Sequence, residues 1–147
     1  MKKRKKRMKN SEEKRSYKTD FAVQVKKAVD NLYYISETDA EILPFSGKKA
    51  EVVNAQEMLS QIGKAANSPI EEKKFTEFFA RLTELHDWFG DEEKTTAQKF
   101  GDLKILLEKN LKDLKVFKIG KIQIDIYVVG LNAESNLTGI QTKAVET

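Results

Sequence analysis

The stretch "GKIQIDIYVVG" at 120–130 leaves the fold less freedom than any other part of the chain. Ile122, Ile124, Ile126 and Val128 alternate with Gln123, Asp125, Tyr127 and Val129. Period two with β-branched side chains predicts a strand, and a strand needs neighbours to satisfy its backbone. "KVFK" at 115–118 supplies a partner if Gly120-Lys121 turns the chain tightly, with Gly at the first central position. A second hairpin through "NAESNLTG" leads to a last strand at about 139–146, so an antiparallel sheet is required.

The rest of the chain must cover that sheet. A helix can begin at Thr19 or Asp20, either of which can cap it, with Phe21, Val25, Ala28, Val29 and Leu32 at helical spacing. "AEILPFSGKK" reads as a short extended segment, and Pro44 places it at an edge or bend. Asn54 to about Ala65 reads as a second helix with Met58, Leu59 and Ile62 inward. "NSP" at 67–69 breaks the chain, and 73–85 is helical again, with Phe75, Phe78, Phe79 and Leu82 on one face. The longest helix is predicted over 91–113, where Leu103, Leu107, Leu111 and Leu114 line up, supported by Phe100 and Leu106. Asp87 or Asp91 is its expected cap, and acidic residues in its first turn suit the helix dipole. This order of elements predicts an antiparallel-rich sheet covered by helices.

Charge is unevenly spread. Residues 1–16 hold nine Lys/Arg and two Glu, a net +7, whereas residues 17–147 hold 18 basic and 21 acidic residues, a net −3. The first segment therefore reads as a disordered basic tail and 17–147 as the folded domain. No apolar run follows the tail, which excludes a secretory signal, and "IYVVGL" is far too short to span a membrane. With no Cys, the expectation is a cytoplasmic protein without disulfides or thiolate metal sites.

Little in the sequence suggests catalysis. His86 is the only histidine, so a His pair or His-rich metal site is ruled out, and its polar loop marks it as a surface residue. There is no glycine-rich phosphate loop. An enzyme would have to rely on carboxylates such as Asp125. The tail offers another reading, a nucleic-acid-binding module acting through residues 1–16. Two acidic loops remain, "YISETDAE" and "HDWFGDEE". From composition, Trp88 and Phe89 tuck into the core; the competing reading is an exposed Trp serving as an interface anchor.

"DNLYYISETDAEILPF", "DWFGDEE", "LEKNLKDLKVFKIGKIQIDIYVVG" and "NLTGIQTKAVET" occur in that order across roughly residues 20–147. In these stretches the chain resembles the nuclease A inhibitor-like family. The resemblance implies a three-layer α/β/α sandwich, PR-1-like, with a mostly antiparallel sheet. It implies a non-enzymatic protein, a monomer when free and without a cofactor of its own, that inhibits a sugar-nonspecific ββα-metal endonuclease. Glu37 would enter the enzyme's active site, Thr147 would approach the divalent metal (Mg or another) that the partner carries, and Asp87 with Trp88 would form a second contact. The chemistry is coherent: a carboxylate can stand in for the scissile phosphate, and the oxygens of Thr147 are hard ligands of the kind Mg²⁺ accepts.

Overall fold

The structure, a computed structural model, describes residues 21–147. The basic tail and the predicted caps Thr19 and Asp20 lie outside the described residues. A five-stranded antiparallel sheet is formed by β3 (Leu43–Lys49), β4 (Ile70–Lys74), β5 (Lys112–Ile119), β6 (Gln123–Leu131) and β7 (Asn136–Val145), in the order β3-β7-β6-β5-β4. A separate hairpin pairs β1 (Tyr33–Ile35) with β2 (Asp39–Glu41). The helices are α1 (21–28), α2 (Ala55–Gln61), α3 (Phe75–Thr83) and α4 (Asp91–Asn110). No helix among the described residues is long and apolar enough to cross a membrane.

The alternation in β6 divides the interior in two. Ile124, Ile126 and Val128 face a core built with Val25, Phe79, Leu103 and Leu107 from α1, α3 and α4. Tyr127 and Val129 face the opposite side, where Met58 and Leu59 of α2 pack on Phe117 and Leu137. The sheet is thus covered on both faces, giving the expected three-layer α/β/α sandwich. Covering both faces also explains why Val128 and Val129 are adjacent and both buried.

α2 starts as its sequence requires, with the Asn54 side chain accepting a hydrogen bond from the Glu57 N–H at 2.8 Å. Its last residue, Gln61, reaches back to β3. The Gln61 amide accepts from the Lys48 N–H at 2.8 Å and donates to the Lys48 carbonyl at 3.0 Å, beside the register shift between Ser46 and Lys49. α4 is capped by Gly90 rather than by an Asp: the Gly90 N–H donates to Glu93 Oε2 at 3.0 Å, while Asp91, Glu92 and Glu93 fill the first turn.

Further expectations are corrected: the first helix stops at residue 28, short of Leu32, and the second at Gln61 rather than about Ala65. The long helix ends at Asn110, not 113, and Leu114 belongs to β5. Asp113 takes a left-handed conformation (φ 57°) within a register shift between Lys112 and Lys115, so an extra residue gives the strand a helix-like spacing of apolar positions. β4 was not expected; its sequence, Ile-Glu-Glu-Lys-Lys, has one half-buried side chain and no alternation. It takes residues 73 and 74 from the helix predicted over 73–85. The β5–β6 connection is wider than a two-residue turn, since Ile119 pairs with Asp125. Gly120 still requires glycine there, at φ +115°, but Ile122 sits in the turn and is exposed.

Gly139 marks the tightest point of the sheet: a Cβ there would lie 1.9 Å from the Val128 carbonyl oxygen. Gly139→Ala is expected to cost about 3 kcal/mol, read as a lower urea midpoint. Burial raises the phenol pKa of Tyr34, and Lys118 partly opposes the shift; burial likewise raises Tyr127, reinforced by Asp125. In the unfolded chain both ionise near the ordinary tyrosine value, about 10. Their contribution is therefore complete below that pH and is lost as pH climbs through the higher folded values. Denaturation midpoints should hold up to about pH 10 and fall above it, later in Tyr34→Phe and Tyr127→Phe.

Candidate functional site

The β1–β2 hairpin is docked against the last residues of β7, and its tip carries Glu37. β3 stops pairing with β7 at Leu43↔Gln141, so residues 142–145 run on past it. There the hairpin takes over. Thr142, only 7% exposed, donates its hydroxyl to the Glu41 carbonyl at 2.9 Å. The Val145 N–H donates to Ser36 Oγ at 3.0 Å, and the Glu37 N–H donates to the Val145 carbonyl at 3.4 Å. On the hairpin's other side Tyr34 stacks on Phe78 of α3, with ring centroids 5.7 Å apart.

The two residues after β7 are also held. The Glu146 N–H donates to the Ile122 carbonyl at 2.9 Å, and its carboxylate receives Lys118 Nζ at 2.6 Å. The Thr147 hydroxyl donates to Glu37 Oε1. Glu37 and Thr147, 110 positions apart, therefore meet, and both are exposed. Two exposed apolar residues adjoin this segment: Ile35, two positions before Glu37, at 70%, and Ile122, whose carbonyl accepts from Glu146, at 57%. The site is an oxygen-rich tip tied by hydrogen bonds to β7 and to the β5–β6 turn.

Asp87 and Trp88 lie elsewhere in the chain, on the turn of residues 84–90 between α3 and α4. Trp88 is 74% exposed, which overturns the composition-based expectation that it tucks into the core; Phe89 is half-buried. The indole packs on its own neighbours in the turn. Trp88 stacks on His86 (5.5 Å, 16°) and meets Phe89 edge-on at 4.7 Å. His86 is a surface residue as expected, and its Nε2 lies 3.7 Å from Glu84. Among the described residues, no hydrogen bond, ion pair or ring contact joins this turn to Glu37 or Thr147.

Sequence reasoning missed Ser36, Lys118 and Thr142, which position the tip. Each sits in a strand or turn where its residue type is unremarkable; the only signal is that Thr142 occupies an inward-facing place in an alternating strand. Glu37 and Thr147 could offer oxygens to a hard cation. No group of three or more His, Cys, Asp or Glu that could hold a metal occurs among the described residues.

With Trp88 exposed, its emission should be that of a water-exposed indole and should be quenched by iodide; it is the chain's single Trp, so the signal is unambiguous. Trp88→Ala should leave stability within about 0.5 kcal/mol, measured by urea unfolding.

Residues 19–147 match the family profile described as nuclease A inhibitor-like protein. Comparison with curated proteins finds no match.

Proposed function

Because the chain belongs to the nuclease A inhibitor-like protein family, its partner is a nuclease, and we propose that it blocks a sugar-nonspecific ββα-metal endonuclease by phosphate mimicry. The observation that supports this reading is the meeting of Glu37 and Thr147 at one exposed tip. A nuclease site holds a phosphodiester between a divalent metal and basic side chains. The Glu37 carboxylate would take the place of the phosphate, and Thr147 would turn its oxygens toward the metal. Mg²⁺, the expected ion, binds proteins through one or two such groups and completes its shell with water and substrate oxygens. Two residues are too few for a dedicated site, which suits a metal that the partner supplies.

The surroundings fit the same role. Ile35 and Ile122 would add apolar contact beside the charged tip, and Trp88 with Asp87 a second anchor at a distinct turn. The net −3 of residues 17–147 suits an enzyme surface built to attract phosphate. Inhibition requires no turnover by the inhibitor, so activity would rest on fit and charge alone.

The test is inhibition of a purified ββα-metal endonuclease digesting plasmid DNA with Mg²⁺. Glu37→Ala should weaken inhibition by about 30-fold or more, the scale of an interface hot spot. One residue appended after Thr147 should weaken it comparably, while deletion of 1–16 should have a much smaller effect. An appended variant that inhibits as well as the parent would remove Thr147 from the interface. A salt-sensitive DNA shift that disappears with residues 1–16, without any nuclease inhibition, would favour the nucleic-acid-binding alternative.

A further inference from the structure

We propose that Ser36 is the positioning residue of the tip: its hydroxyl holds Glu37 and Thr147 in one fixed arrangement before any partner arrives. This deepens the inhibitor reading and rests on it, although the geometry stands apart from it. Past Gln141, β7 has lost β3 as a neighbour, and the Val145 N–H needs another acceptor. Ser36 Oγ provides it at 3.0 Å. The adjacent Glu37 N–H returns a bond to the Val145 carbonyl at 3.4 Å. Together these two bonds imitate one rung of an antiparallel ladder, with a side-chain hydroxyl replacing a backbone carbonyl.

The same hydroxyl shapes the tip itself. It donates to the Thr38 carbonyl at 3.2 Å, and the Ser36 N–H donates to that carbonyl at 3.0 Å. One oxygen therefore closes the turn that presents Glu37 and fastens that turn to the strand that delivers Thr147. Without it, the Glu37 N–H bond to the Val145 carbonyl and the Thr142 bond to Glu41 would remain, but Glu37 and the Thr147 hydroxyl would be held together less firmly. Ordering them would then subtract from binding, which is the cost that preorganisation removes.

Alanine at 36 removes the hydroxyl, whereas threonine keeps it. In the free protein, Ser36→Ala should speed exchange of the Val145 amide proton by about tenfold, the scale of one lost hydrogen bond, and Ser36→Thr should restore protection. Against a purified ββα-metal endonuclease with Mg²⁺ and plasmid DNA, Ser36→Ala should weaken inhibition by about tenfold and Ser36→Thr should recover most of it. In a Glu37→Ala background, the same Ser36→Ala change should weaken inhibition by clearly less than in the parent, because the arrangement it serves has already lost Glu37. Equal losses in both backgrounds, or no recovery with threonine, would overturn the proposal. Should the parent chain fail to inhibit the enzyme, the inhibitor reading fails, and the Val145 amide decides the role of Ser36 alone: unchanged exchange in Ser36→Ala overturns it.

Discussion

The ladder between β6 and β7 is the constraint on which the molecule depends. It runs in register from Gln123↔Val145 to Leu131↔Leu137. β6 brings one apolar set to each helical layer, so a slip of one residue would exchange the two sets and turn Gln123 and Asp125 toward the face that Ile124 and Ile126 now fill. The same register determines how far β7 travels. Its pairing carries the chain past the end of β3 and into reach of the β1–β2 hairpin. A core requirement thereby becomes a positional one: burying Ile124, Ile126 and Val128 correctly also sets Thr147 beside Glu37.

Much of this architecture was legible in the sequence because burial and periodicity coincide. The alternation at 122–129 pointed to the central strand, of which all but Ile122 lies in β6, and the helix read from Asn54 to about Ala65 is present as Ala55–Gln61 with Met58 and Leu59 inward. Legibility failed where two periods overlap or where no side chain is buried. Leu111 and Leu114 are spaced as in a helix, yet the extra residue around Asp113 gives a strand the same spacing. β4 is held almost wholly by its backbone pairing to β5, and a run of Glu and Lys carries no trace of that.

The candidate site was legible in a different way. Glu37, Asp87, Trp88 and Thr147 were marked by family resemblance rather than by physical pattern, since a loop Glu and a final Thr have no periodicity. Composition even argued for burying Trp88. Instead it stands exposed on the turn of residues 84–90, against the rings of His86 and Phe89. The supporting groups were invisible because each acts through tertiary contact. Ser36 meets Val145 across 109 positions, and Lys118 meets Glu146 across 28.

The two outermost strands carry a further consequence. β4 presents Glu71, Glu72, Lys73 and Lys74, and β3 combines Pro44, a register shift and Lys48-Lys49. Unpaired strand borders recruit strands from other molecules, and charge, proline and irregular register are what discourage that. Both borders of this sheet carry such features, on residues whose side chains are mostly exposed and lie outside the core.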